Sequence, residues 1–194
     1  MSPTLVRVAK HKSRSVSKVS DARVARTHSA IGTAFADLLM RRPYERIRVS
    51  DITRKAAVGR ATFYGHFASK EALLQAQFAR VVAHTVVELP AEPCLVDCTR
   101  LFAHTRQARE IFRSLTSGPG HVGTERILQD VLEARLAALM VQRCAGAGSS
   151  RGFVPRFVAS TVLALIAWSL EQAELPSAVE LQRVFKTLVG RALA

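Results

Sequence analysis

Residues 44–71 read YERIRVSDITRKAAVGRATFYGHFASKE. Val49, Ile52 and Ala56 stand at helical spacing, the turn Ala57-Val58-Gly59 interrupts them, and a further short helix runs to about Phe67. Two short helices joined by a tight turn form a bihelical unit whose second helix can project into a major groove. Ile52, Ala56, Val58, Phe63 and Phe67 are expected to pack inwards and hold the unit together. Arg60, Thr62, Tyr64 and His66 are left facing outwards, and such groups reach phosphates and base edges. Almost no acid interrupts this face, whereas a catalytic surface would usually need one.

The flanks extend the helical reading in both directions. Upstream, Ile31, Ala34, Phe35, Leu38 and Leu39 share one face of a helix expected from about Val24 to Met40. Arg41-Arg42-Pro43 stops it, because the residue before a proline is pushed out of helical geometry. Downstream, Ser69 is an N-cap with Glu71 in the first turn, and Leu74, Phe78, Val81 and Val82 form the stripe of a fourth helix. Pro90 and Pro93 mark its end. Helical stretches are predicted over about 95–106, 107–116, 122–143, 154–174 and 178–193, with Gly118-Pro119-Gly120 and the flexible loop 145–150 between them. The last carries a capping box, Ser177 with Glu180, directly after Pro176. About nine helices, with no convincing strand and no internal repeat, predict an all-α architecture.

Charge is distributed as unevenly as the motifs. The chain of 194 residues carries +13, and residues 1–70 hold 15 Lys and Arg against 4 Asp and Glu. A basic head on a near-neutral body suits a polyanion. Residues 1–20 contain Arg7, Lys10, Lys12, Arg14 and Lys18 and no acid. They read as a flexible arm that touches phosphates or a minor groove; an organellar transit peptide shares this composition, but here the basic character continues into a folded segment. The expected organisation is an arm over 1–22, a three-helix DNA-binding domain over 23–70, and a second helical domain over 71–194.

Three cysteines, at 94, 98 and 144, do not make a secreted disulfide framework, and the N-terminus lacks an apolar signal region. A reducing cytosol is expected. The longest charge-free apolar stretch, Phe157 to Leu170, falls short of the roughly 20 residues that cross a bilayer, so a buried helix and no membrane partner are expected.

The central segment resembles the TetR family of bacterial repressors. The resemblance rests on Tyr44, Ile47, Val49, Asp51, Ile52, Ala56 and Val58, then Thr62-Phe63-Tyr64, His66-Phe67 and Ser69-Lys70-Glu71-Ala72-Leu73-Leu74. It covers about residues 26–75. It implies backbone contacts from Thr62, Tyr64 and Lys70 and an approach to bases by Arg60; Arg48, Ser50, Gly59, Ala61 and His66 complete the candidate DNA-facing set. Three positions depart from the pattern. Arg48 stands where Thr usually caps the second helix, a cap worth roughly 1 kcal/mol, although an arginine there can reach a phosphate. Ala57 replaces the turn glycine, which is unfavourable if that position needs positive φ. Gly59 replaces Ser as a weaker cap of the recognition helix.

The resemblance further implies that residues 71–194 are a ligand-binding and dimerisation domain and that the protein is a homodimer, in which the last two long helices pair with their counterparts in a four-helix bundle. Phe157, Val158, Thr161, Leu165 and Trp168 supply one apolar stripe for it, and Leu181, Val184, Phe185 and Leu188 another. It implies double-stranded DNA with near-palindromic half-sites as partner, a small-molecule effector of unknown identity, and a bacterial cytoplasm in which the protein sits on the nucleoid when bound to DNA. Leu101, Phe102, His104, Phe112, Leu128, Leu132 and Trp168 are the candidate effector contacts, suiting an apolar or aromatic molecule, although for any single one of them plain core is the favoured reading. Cys94, Cys98 and His104 make a weak case for metal or thiol sensing. No cofactor, resident metal or catalytic residue is expected. The rival readings are a nonspecific nucleic-acid packaging protein and, further behind, an enzyme in the C-terminal region with a cysteine or histidine pair.

Overall fold

The computed structural model describes residues 9–89, 95–116, 121–140 and 152–193. Its helices are α1 (Ala9–Leu39), α2 (Val49–Lys55), α3 (Arg60–His66), α4 (Lys70–Thr85), α5 (Thr99–Gln107), α6 (Arg109–Thr116), α7 (His121–Met140), α8 (Phe153–Glu171) and α9 (Ala178–Leu193). A single 3-10 turn, Tyr44–Arg46, links α1 to α2. The expected all-α fold is therefore present, with two differences. The first helix starts at Ala9, well before Val24. Neither glycine nor proline occurs between Ala9 and Ile31, so nothing in the backbone chemistry breaks the helix there. The second difference is a short antiparallel ladder between β1 (Val87–Glu88) and β2 (Val96–Asp97), pairing Val87 with Asp97 and Glu88 with Val96. Two residues per strand are too few to leave an alternating pattern in sequence. The expected breaks at 118–120 and 145–150, Cys94, Cys144 and the first eight residues of the arm lie outside the described residues.

Two apolar cores organise the helices. The head core joins Ile31, Phe35 and Leu38 of α1 to Ile52 of α2, Phe63 of α3, Phe67, and Leu73 and Leu74 of α4. The body core joins Phe78 and Val82 of α4 to Leu101 and Phe102, Phe112, Leu132 and Leu136, Val158 and Ile166, and Leu181 and Phe185 of the later helices. Each such side chain, fully buried, contributes about 1.5–3 kcal/mol. Helix α4 thus belongs to both cores, and Leu115 of α6 reaches into the head core. The boundary placed at residue 70 runs through continuous packing.

Helix ends are closed by long side chains from neighbours, which satisfies carbonyls that have no intrahelical partner. Arg135 of α7 donates to the Val86 carbonyl at 3.0 Å and to Ala83 at 3.3 Å, closing α4. Arg113 of α6 donates to the Leu170 carbonyl at 2.8 Å near the end of α8. The capping box on α9 is present: Ser177 N–H donates to Glu180 Oε2 at 2.7 Å, and Glu180 N–H to Ser177 Oγ at 3.1 Å. Buried Gln182 accepts from Cys98 N–H at 2.9 Å and donates to the Val96 carbonyl at 3.0 Å, tying α9 to the ladder.

Helix α8 is 19 residues long with a mean hydropathy of 1.7, enough by length and composition to cross a membrane; half of it is buried inside the protein. Val158, Val162, Leu165 and Ile166 face the body core, while Trp168 remains 47% exposed.

Candidate nucleic-acid interface

The sequence builds a bihelical unit with a packed side and a bare side. Ile52 and Phe63 are 0% exposed, Phe67 is buried, and Ala56 and Val58 pack against them. With these residues fixed, helical geometry turns Arg60, Ala61, Thr62 and Tyr64 outward, and all four are exposed. Tyr64 is 49% exposed, its ring edge-on to Phe63 at 5.4 Å between centroids. Gly59 occupies the N-cap of α3 in extended geometry (φ −70°, ψ 152°) and gives no side-chain cap. The turn before it forces Ala57 to φ 53°, the strained conformation that an alanine tolerates poorly.

Helix α2 presents Arg48 and Ser50, both exposed. Arg48 supplies no side-chain cap. Asp51 substitutes from the third position, its Oδ2 accepting from Arg48 N–H at 3.0 Å. Arg54 lies 2.7 Å and Arg42 3.4 Å from the same carboxylate. The Arg48 N–H, with the guanidinium groups beside it, holds the Asp51 carboxyl below its usual range. Asp51 is the one acid between residues 48 and 66, and its charge is already matched, so the outward face is net positive.

Two candidates are placed differently from the others. Lys70 is half-buried: its Nζ donates to the Tyr44 carbonyl at 2.9 Å and sits 3.8 Å from the centre of the Tyr44 ring. The Tyr44 hydroxyl in turn donates to Glu71 Oε1 at 3.0 Å. Burial, then the Glu71 charge, push the Tyr44 phenol far up, and burial pulls Lys70 down. This knot fixes the start of α4 against the α1–α2 connection. His66, also half-buried, turns towards α1, where its Nδ1 lies 3.1 Å from His28 Nε2. His28 packs at 4.8 Å from the Phe67 ring as well. Burial first, and then the neighbouring His66 and Arg80, lower the His28 pKa.

His28 is a residue that sequence reasoning missed, since one histidine on a helix carries no signal until its partner is known. Arg23 and Arg26 were missed too. Both are exposed on α1 and flank, with Val58, an open groove of about 400 Å³ beside the α2–α3 turn. The basic excess before residue 30 was the available hint.

The candidate effector residues are not gathered in one place. Leu101, Phe102 and Leu132 are 0% exposed members of the body core. Phe112 and Leu128 line a cleft of about 550 Å³ against α7 and α8. His104, again with Phe112, lines a different cleft of about 310 Å³ between α1, α4 and α6. Trp168 stands outside both, on the outer side of α8. Cys98 is buried, and desolvation followed by the Asp97 charge pushes its thiol far up, away from the reactive thiolate. Among the described residues no group of three or more His, Cys, Asp or Glu is arranged to hold a metal ion.

Known proteins share this architecture. Residues 33–76 match the family model described as bacterial regulatory proteins, tetR family, a range that runs from the end of α1 through α2 and α3 to the start of α4. YxbF of Bacillus subtilis (strain 168), an uncharacterized HTH-type transcriptional regulator, is 28% identical over 167 residues, 83% of this chain and 44% of that protein. The chain therefore spans less than half the length of that relative. A TetR transcriptional regulator from Streptococcus agalactiae 2603V superposes with a TM-score of 0.60 at 24% identity, over 89% of this chain and 98% of its own. The dihydroxyacetone kinase operon activator DhaS superposes at 0.54 and 19% identity, over 86% and 93%. Residues 33–76 thus match the model of the tetR family of bacterial regulatory proteins, and the chain that carries them has the helical fold of these solved regulators.

Proposed function

We propose that this protein is a ligand-responsive, sequence-specific DNA-binding regulator that acts as a homodimer on a near-palindromic site. The observation that carries the reading is the outward face of α3. Arg60, Ala61, Thr62 and Tyr64 are exposed together on a short helix whose opposite side is locked into the head core. Arg60 suits the O6 and N7 acceptors of guanine, while Thr62 and Tyr64 suit phosphate oxygens. Arg48 and Ser50 on α2 add backbone contacts, and Arg23 and Arg26 extend the positive surface along α1. Repression is the expected mode, by occlusion of a promoter.

His66 takes a narrower role in this reading. Its Nδ1 is taken up by the contact with His28 Nε2, which leaves Nε2 as the ring nitrogen that can reach DNA. Lys70 acts through Tyr44, setting the position of α4, and reaches a phosphate only if it leaves the carbonyl it now holds.

Selection from a randomised duplex library tests the proposal. The full chain should enrich a sequence with two related half-sites, preferred over random duplex by about 10³-fold or more. Arg60→Ala/Tyr64→Ala should lose that preference, because both side chains are exposed and the fold does not depend on them. Binding that depends steeply on salt, enriches nothing and ignores both substitutions would make the protein a nonspecific packager.

A further inference from the structure

The cleft between α1, α4 and α6 joins the two cores from the side. Its floor is Phe35 from the head, Phe78 and Phe112 from the body, and Leu115 of α6, which belongs to the head core. Its volume of about 310 Å³ sits at the lower end of small-molecule sites, roughly 300–1,000 Å³. The Phe78 and Phe112 rings meet edge-on with centroids 6.4 Å apart, and His104 stands edge-on to Phe112 at 6.3 Å. These walls suit a flat aromatic body.

Charge at the rim selects the rest of the ligand. Asp37 and Arg80 both line the cleft. Asp37 is already matched, with Lys55 Nζ at 3.2 Å. Arg80 is exposed and, among the described residues, donates through Nη2 to the neutral amide of Gln77 at 2.7 Å, which leaves further guanidinium N–H groups for an acceptor. An anion is favoured over a cation at such a rim, and a planar carboxylate matches the guanidinium fork. The Gln77 amide lies directly over Gly32; a Cβ built there would meet Gln77 Nε2 and Oε1 at 2.8 Å. A side chain at position 32 would push aside the amide end that Arg80 bonds.

We propose that this cleft is a binding site for a small aryl carboxylate, its ring on Phe35, Phe78 and Phe112 and its carboxylate on Arg80. The inference rests on the regulatory reading for its purpose, not for its chemistry. A molecule lodged here touches α1 of the head and α4 and α6 of the body at once. It can therefore favour one head-to-body arrangement over another, which is what coupling to DNA requires.

Calorimetric titration of the full chain with 1-naphthoate, and with 1-naphthamide as neutral isostere, tests the site. Saturable binding of the carboxylate is expected, with the amide weaker by about tenfold or more. Arg80→Gln should weaken the carboxylate by a similar factor while leaving the amide unchanged, and Ala36→Phe, which fills the cleft, should weaken both. Circular dichroism of each variant establishes that it is folded. Absence of saturable binding, or binding indifferent to both substitutions, overturns the site. The duplex selection is run on the same preparation, so the two readings fail separately: a duplex enriched without naphthoate binding removes the cleft alone, and naphthoate binding without enrichment removes the regulator alone.

Discussion

Ala57 holds φ at 53° in the turn between α2 and α3, where an L-residue with a Cβ is destabilised by about 1–2 kcal/mol. Ala57→Gly removes that strain, and the greater freedom of glycine in the unfolded chain offsets about 0.4–1 kcal/mol of the gain. A net stabilisation of about 0.5–1 kcal/mol is expected, read as a higher urea midpoint with unchanged slope. A destabilised variant would mean that the turn is not strained. Two histidines contribute to the response to acid. His28 and His104 both have lowered pKa values, in each case chiefly from burial, so the fold favours their neutral forms. Their contribution is intact above the ordinary histidine range near about 6.5. It is lost as pH falls through that value towards the folded ones, because the unfolded chain then takes up protons that the folded chain refuses. The urea midpoint should drop between pH 7.5 and 5.5, and His28→Gln/His104→Gln should show a smaller drop; an equal drop would assign the effect elsewhere. The strain at Ala57 was legible in sequence, because a turn template names the position that needs glycine. The His28–His66 contact was not, since 38 residues separate the partners and only the packing of α1 on α3 joins them.

At the level of elements, α4 carries the most consequence for its length. Ser69 caps it, its Oγ accepting from Ala72 N–H at 3.1 Å, and the Lys70–Tyr44–Glu71 knot sits in its first turn. Leu73 and Leu74 then enter the head core, and Phe78 and Val82 the body core. Loss of the cap in Ser69→Ala should cost about 1 kcal/mol. Because the helix is shared, that loss should appear as one cooperative transition at lower denaturant when fluorescence and circular dichroism are compared. Two separated transitions would mean that head and body unfold independently. Such caps were readable in advance, because serine followed by an acid in the first turn is a local signal. The early start of α1 and the β1–β2 ladder were not. Basic residues before Asp21 gave α1 no apolar stripe to count, and the ladder is fixed by its partner strand and by Gln182 on α9 rather than by its own four residues.

For the whole molecule, the expected stripes of α8 and α9 divide between two destinations. Val158 and Leu165 on α8, and Leu181 and Phe185 on α9, are consumed by the protein's own core. Trp168 is 47% exposed and Leu188 51%, with Val184 also bare. Periodicity located these stripes but not this division, because which flank of an apolar helix faces its own core depends on helices distant in sequence. An exposed tryptophan and leucine on adjoining long helices are an unfavourable way to meet water and a suitable way to meet a second copy. Trp168→Glu/Leu188→Glu places charge on both without touching either core. The variant is expected to keep its helical circular dichroism and its midpoint at low protein concentration, while light scattering falls from the dimer mass to that of the monomer. Its affinity for the selected duplex should fall by roughly 10²-fold or more, since the second half-site is then bound without the benefit of linkage. A half-length duplex carrying one half-site should bind variant and parent alike. If instead the parent already scatters as a monomer and the variant binds the full duplex as well as the parent does, the exposed faces of α8 and α9 serve no second copy, and recognition is accomplished by a single α3.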